Sequence, residues 1–101
     1  MNDTQILTIT GIRSAALDEH IRERLHHALN QHEGQVRSLR VSVRDINGPR
    51  GGEDMQVRII VGLRGSADVV IEETGADSYA AISLAAERVK QTVGRRLGRR
   101  K

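Results

Sequence analysis

Residues 77–101 read DSYAAISLAAERVKQTVGRRLGRRK, and their pattern predicts a helix. Apolar side chains recur in this segment at spacings of three and four, which places them on one face of a 3.6-residue repeat. They are Tyr79, Ile82, Ala86, Val89, Val93 and Leu97. Asp77 comes just before this stripe, where its carboxylate can accept hydrogen bonds from the free backbone N–H groups of a helix start. We therefore expect the helix to pack on a core through this face, with the ring of Tyr79 buried.

The end of this helix is strongly basic, whereas the rest of the chain is acidic. The chain has 16 Lys and Arg against 13 Asp and Glu, a net charge of +3. Residues 88–101 contain seven of these cations and no acid, so residues 1–87 hold nine cations against 13 acids, a net charge of −4. One or two cations would suit the negative end of a helix dipole, but the larger number predicts contact with nucleic acid or another polyanion. The seven are Arg88, Lys90, Arg95, Arg96, Arg99, Arg100 and Lys101.

Two glycines interrupt this basic segment. Gly94 and Gly98 each cost a helix about 1 kcal/mol relative to Ala. The cations that follow Val93 also repel one another. We therefore expect residues 94–101 to fray in the free protein and to become ordered when phosphates neutralise their charge.

The composition excludes several classes of protein. The 101 residues fit one domain, which we expect to cover residues 1–101 with its basic helix end at 88–101. Phe and Trp are absent and there is one Tyr, so a platform of aromatic rings for stacking RNA bases is not expected. The absence of Cys excludes disulfides and thiol chemistry, and it suits the cytoplasm. No signal peptide is visible, and no apolar run approaches the ~20 residues that span a membrane.

Four segments alternate apolar and polar side chains with a period of two, which predicts β-strands. They are residues 5–12, 36–46, 54–63 and 67–74. In the second segment, for example, Leu39 and Val41 point to one side and Arg40 to the other. The polar side of the sheet would carry four arginines, which we interpret as a solvated sheet face rather than a binding surface. These are Arg40, Arg44, Arg58 and Arg64.

Residues 15–31 carry an apolar stripe with helical spacing, and Ser14 precedes them as a candidate N-cap. The element order is therefore β-α-β-β-β-α. Strands two to four are separated by connections short enough for antiparallel pairing, including the NGPRGG loop at residues 47–52. The first strand reaches the second through a helix, which favours a parallel pair. We expect an α+β fold in which both helices pack on one face of a four-stranded sheet.

Four histidines lie on or just after the first helix, but their spacing does not favour a metal site. They are His20, His26, His27 and His32. The pair that shares a face, His20 and His27, is separated by two helical turns, and no HExxH run accompanies it. We interpret the histidines as solvated or as facing RNA. No nucleophile, base and orienting group form a recognisable set either, so we expect no enzyme activity, cofactor, metal or small-molecule substrate.

The start of the second helix resembles a known family. A D-x-Y-A-A-I-D run opens this helix in the ribosome hibernation promoting factor / ribosome-associated inhibitor A family, also called the S30AE or sigma-54 modulation family. This chain matches the run at five positions, with Ser83 in place of the last Asp. The matching residues are Asp77, Tyr79, Ala80, Ala81 and Ile82. Together with the element order, the chain resembles a short member of the family over residues 5–100, without the C-terminal domain of the long members.

The resemblance implies a non-enzymatic, cytoplasmic protein that binds the small (30S) ribosomal subunit. Basic residues of the family contact 16S rRNA in the mRNA channel near the A and P sites, which blocks translation and protects idle ribosomes under stress. On this chain the resemblance assigns RNA contacts to Arg88, Lys90, Arg95, Arg96, Arg99 and Arg100, and less directly to Arg22, Arg24 and His27.

Two alternatives remain open at the level of sequence. The first is a stand-alone double-stranded-RNA-binding module, because the α-β-β-β-α core of such modules is contained in the predicted order. The second is an interaction domain whose basic end binds an acidic protein partner. Neither alternative involves a membrane.

Overall fold

The computed structural model describes residues 6–46 and 54–98. Its elements follow the predicted order, with a 3₁₀ helix (Asn30–Gln35) after the first α-helix. They are β1 (Ile6–Gly11), α1 (Ala15–Leu29), β2 (Val36–Asp45), β3 (Met55–Leu63), β4 (Val69–Gly75) and α2 (Ser78–Gly98). The predicted loop at residues 47–52 lies outside the described residues, and so do Arg99, Arg100 and Lys101.

The four strands form one mixed sheet in the order β1-β2-β3-β4. β1 pairs with β2 in parallel, with Leu7 opposite Leu39, and the two strands are joined through α1. β2 with β3 and β3 with β4 pair antiparallel. The predicted α+β fold and the predicted strand directions are therefore confirmed.

One continuous core lies between this sheet and the two helices. On β2, Leu39, Val41 and Val43 are buried, whereas Arg40 and Arg44 are exposed on the opposite face. Apolar side chains of both helices join the same core, so both helices cover the same face of the sheet. They include Leu17, Ile21 and Leu25 of α1 and Ile82, Val89 and Val93 of α2.

Both predicted N-caps are present. The Ser14 hydroxyl accepts a hydrogen bond from the backbone N–H of Leu17 at 3.0 Å, and the Asp77 carboxylate accepts one from Ala80 at 2.9 Å. These bonds satisfy backbone donors that a helix start leaves without a partner.

The turn at the end of β1 depends on Gly11. Its φ of +89° is in the region that side chains disfavour, and a Cβ at this position would collide with the carbonyl oxygen of Val43. This conformation lets the backbone N–H of Ile12 donate to the same carbonyl at 3.0 Å, so β1 stays attached to β2 at the point where the chain leaves the sheet.

The prediction that Tyr79 is buried between helix and sheet is wrong. Tyr79 is 44% exposed, and its ring lies 5.0 Å from the ring of His20 on α1. The surface of α2 closest to the sheet begins with the small residue Ala81 and the adjacent Ile82, both fully buried. Tyr79 stands at the edge of this surface, so its ring faces the neighbouring helix and solvent.

The predicted fraying from Gly94 onward is also wrong for the residues that the structure describes. α2 continues without interruption to Gly98. Leu97 packs against the core, and Arg96 donates a hydrogen bond to the backbone carbonyl of Ala67 at 2.7 Å. These tertiary contacts outweigh the intrinsic cost of glycine in a helix, because propensity is a weak preference that packing overrides.

Candidate nucleic-acid interface

α1 and α2 lie side by side and run in the same direction. Early in both helices, His20 contacts Tyr79 and Ser83. Further along, His27 of α1 and Gln31 of the 3₁₀ helix that follows it line a common groove with Lys90 and Gly94 of α2. We call this feature, which has a volume of about 450 Å³, the interhelical groove. Its polar and charged lining consists of His27, Asn30, Gln31, His32, Glu87, Lys90, Gln91 and Arg95.

Local sequence explains why polar groups line this groove. On α1, His20, Arg24 and His27 follow spacings of four and three, so they form a polar stripe beside the buried apolar one, and Gln31 follows four positions later in the 3₁₀ helix. On α2, Gly94 leaves open space, since no atom lies within 4 Å of where its Cβ would be. A glycine at this position therefore leaves the groove unobstructed by a side chain.

Lys90 and Arg95 are the two predicted cations that are exposed at this groove. Neither forms an ion pair or a hydrogen bond with the part of the chain that the structure describes. Glu87 is the acidic residue that lines the same groove. Both cations are thus available to an anion that enters between the helices.

Arg88 and Arg96 face the other side of α2, toward β4. Arg88 donates to the carbonyl oxygen of Glu72 at 2.8 Å and to the Glu73 carboxylate at 3.0 Å. Arg96 donates to the carbonyl oxygen of Ala67 at 2.7 Å. The structure therefore separates these two arginines from the groove, and each already has hydrogen-bond acceptors that hold the helix to the sheet. Their contact with RNA stays a prediction.

The remaining predicted contacts lie on α1. His27 lines the groove and Arg22 is exposed. Arg24 is half-buried, and its Nε is buried with no hydrogen-bond partner among the described residues. The structure thus brings His27 together with Lys90 and Arg95, whereas Arg22 does not line the groove.

His20 has a contact that sequence spacing did not indicate. Its Nε2 lies 3.3 Å from the carbonyl oxygen of Tyr79 and 3.3 Å from the hydroxyl of Ser83. The tautomer decides which bond forms: a protonated Nε2 donates to the Tyr79 carbonyl oxygen, whereas an unprotonated Nε2 accepts from the Ser83 hydroxyl. His20 therefore links the starts of the two helices. Only the fold could have shown this, because the partners are about 60 positions apart in the chain.

On the open face of the sheet, two of the four predicted arginines have side-chain partners among the described residues, whereas Arg40 and Arg64 have none. Arg44 donates to the side-chain oxygen of Gln56 at 2.7 Å, and Arg58 lies 3.6 Å from the Glu72 carboxylate. Arg40 is exposed there between two shallow depressions. These cross-strand pairs fit the interpretation of an ordinary solvated face.

The described residues provide neither a cluster of metal ligands nor a helix that could span a membrane. Within 6–46 and 54–98, no group of three or more His, Cys, Asp or Glu side chains could hold a metal ion. No helix in these ranges is long and apolar enough to cross a membrane.

Solved structures share this architecture. The chain is similar to a ribosomal subunit interface protein from Coxiella burnetii, with 18% sequence identity over 93% of this chain and 98% of that one, and a TM-score of 0.77. It is also similar to the N-terminal domain of protein Y from Thermus thermophilus, with 25% identity over 94% of this chain and 98% of that one, and a TM-score of 0.70. No protein with curated annotation matches the sequence.

The match to a protein family covers most of the sequence. Residues 7–101 fit the model of the family described as sigma 54 modulation protein / S30EA ribosomal protein. This match includes every element from β1 to α2 and confirms the resemblance that the Asp77–Ile82 run suggested. The chain therefore belongs to the sigma 54 modulation protein / S30EA ribosomal protein family.

Proposed function

We propose that this protein binds the small ribosomal subunit, contacts 16S rRNA in the mRNA channel near the A and P sites, and silences translation as a hibernation factor under stress. The observation that carries the proposal is membership of the S30EA ribosomal protein family over residues 7–101. One of the similar structures is named as a ribosomal subunit interface protein, which supports the same partner. The protein acts in the cytoplasm, by binding rather than by catalysis.

The interhelical groove supports contact with RNA phosphates. Lys90 and Arg95 supply donors that no described acceptor uses, and His27 and His32 add imidazole rings to the lining of the groove. Cations of this kind contribute electrostatic affinity that does not depend on base sequence. In this proposal Lys90 and Arg95 are the primary phosphate contacts. Arg99 and Arg100 continue the basic segment in the sequence beyond the described helix.

Sedimentation tests the partner. The purified protein is mixed with 30S subunits and run on sucrose gradients, and the amount that moves with the subunits is measured at increasing salt. We expect association that weakens steeply as salt rises. A protein that stays at the top of the gradient at low salt, while it binds duplex RNA or an acidic protein instead, would contradict the proposal.

A pair of double variants tests the groove. Lys90→Gln/Arg95→Gln should flatten the slope of log K against log salt by about 1.4–1.8, since each lost phosphate contact accounts for roughly 0.7–0.9. The matched control is Arg44→Gln/Arg58→Gln, which removes the same charge from the open face of the sheet. We expect the control to keep nearly the parent slope. Equal effects of the two double variants would show that net charge, not the groove, determines binding.

A further inference from the structure

Tyr79 is the aromatic side chain of this protein, and it lies at the surface instead of in the core. Phe and Trp are absent from the sequence and Tyr79 is the single Tyr. Tyr79 is 44% exposed, so part of a large and mostly apolar side chain is left in water, whereas the core consists of aliphatic side chains. Tyr79 is not on the surface of α2 that packs on the sheet, and it is not one of the residues that line the interhelical groove. Its position therefore needs an account of its own.

The ring is held in place from two directions. The Asp77 cap fixes the first turn of α2 through Ala80, and the Nε2 of His20 lies 3.3 Å from the carbonyl oxygen of Tyr79 itself. The imidazole of His20 also lies against the tyrosine ring, with centroids 5.0 Å apart and planes tilted by 57°. A ring fixed in this way loses little conformational freedom when a planar ligand packs on its exposed surface.

The ring is also aligned with the interhelical groove. Tyr79 lies on the α1 side of α2, as Lys90 and Gly94 do further along the helix. Eleven residues separate Tyr79 from Lys90, which corresponds to about 16 Å along the helix axis. A nucleic-acid strand with its bases stacked rises roughly 3.4 Å per nucleotide, so at most about five nucleotides span this distance.

We propose that Tyr79 stacks on one unpaired nucleobase of an RNA strand whose phosphates contact Lys90 and Arg95 in the interhelical groove. The inference rests on the proposed function and specifies the kind of RNA that is bound. In a double helix the faces of the bases are covered by their neighbours, so a ring can reach a base in a loop, a bulge or a free strand. A single ring is not the multi-ring platform that the composition excludes, but it is enough for one base.

The intrinsic fluorescence of the protein tests this directly, because all of it comes from Tyr79 in a chain without Trp. A single-stranded oligoribonucleotide long enough to reach from Tyr79 to the groove is titrated into the protein at low salt. A dye on the RNA reports binding independently through polarisation. We expect tyrosine emission to fall in step with binding. The same RNA annealed to its complement should leave the emission unchanged. Binding of the single strand with unchanged emission would overturn the proposal.

Two substitutions of Tyr79 distinguish the contribution of the aromatic ring from that of apolar side-chain volume. Tyr79→Phe keeps the ring and should bind 30S subunits and the oligonucleotide within about twofold of the parent. Tyr79→Leu keeps apolar volume without a ring and should bind roughly tenfold more weakly, as expected for loss of one stacked base. Circular dichroism and thermal melts verify that each variant is folded.

The outcomes distinguish this inference from the proposed function. A folded Tyr79→Leu variant that binds 30S subunits as tightly as the parent would overturn the stacking role and leave ribosome binding in place. Loss of 30S association by the parent itself would remove the basis of both. If Tyr79→Leu does not fold, the fluorescence titration of the parent tests the stacking role. If the free oligonucleotide does not bind, the stacking role is tested on 30S subunits, by comparing the affinities of the parent, Tyr79→Phe and Tyr79→Leu.

Discussion

At the scale of single residues, Asp18 has a strong local partner. Arg13 donates to its carboxylate at 2.6 Å, and this hydrogen bond is the main reason why the pKa of Asp18 is lowered from its ordinary value of 3.8. Asp18 also lies in the first turn of α1, where the positive end of the helix dipole favours an anion. The ion pair therefore stabilises the start of the helix that precedes the groove.

The lowered pKa makes this contribution depend on pH. A carboxyl group whose pKa is lower in the folded state stabilises the fold above its unfolded pKa, and the gain disappears as pH falls through the folded value. Asp18→Asn should therefore melt at a lower temperature than the parent at neutral pH, and the difference should vanish well below 3.8. Glu19→Gln, which removes a charge at the next position without that hydrogen bond, is the control. A difference that persists in acid would assign the effect to something other than the carboxylate.

At the scale of elements, α2 shows which features a sequence predicts well. Its cap at Asp77 and its buried stripe through Ile82, Val89 and Val93 follow from residue type and spacing, which are local properties. The alternation along β2 was predictable for the same reason. Spacing along a helix also shows which side chains share a face, and it placed His27 on the stripe that reaches the groove.

The partners of long side chains were not predictable from the sequence. Arg88 and Lys90 are two positions apart in one basic segment, yet one bonds to β4 and the other lines the groove. The direction of each depends on where carbonyl groups of β4 lie, and the folding of the whole chain determines that position. The exposure of Tyr79 was missed for a similar reason, since small alanines bring α2 close to the sheet and leave the ring at the edge.

Gly94 allows a direct test of the element that was expected to fray. Open space surrounds its missing Cβ, so Gly94→Ala should raise the free energy of unfolding by about 0.5–1 kcal/mol through helix propensity. Chemical denaturation measures this change. The control, Gly11→Ala, should lower stability because of the positive φ and the contact with Val43. If Gly94→Ala gives no gain, the end of α2 is not helical in the free protein.

At the scale of the whole molecule, the parallel helices bring two like dipole ends together. Each α-helix carries roughly half a negative charge at its C-terminus, and here both ends lie at the interhelical groove. Part of the positive charge of the basic segment therefore neutralises the negative dipole ends of the two helices. The number of cations available to RNA is smaller than the sequence count suggests, and the paired state of Arg88 and Arg96 reduces it further.

Single variants can separate the structural role of Arg88, which bonds to β4, from the binding role proposed for Lys90 in the groove. Arg88→Gln should lower the free energy of unfolding by about 0.5–1 kcal/mol, because it loses an exposed ion pair and a bond to a backbone carbonyl. It should leave the salt slope of 30S binding unchanged. Lys90→Gln should do the reverse, with unchanged stability and a slope flatter by about 0.7–0.9. A flatter slope for Arg88→Gln would mean that this side chain leaves β4 when RNA binds.

The attachment of α2 to β4 has a consequence for how molecules of this protein meet one another. β4 is the last strand in the sheet, so one of its edges has no neighbouring strand. Free main-chain groups along such an edge can pair with the sheet of another molecule, which is a common route to aggregation. Arg88 occupies the carbonyl of Glu72 in β4, and Arg96 occupies that of Ala67 just before β4, so both place positive charge beside this strand. We therefore expect these arginines, which charge alone would assign to a polyanion, to disfavour pairing of β4 with the sheet of another molecule.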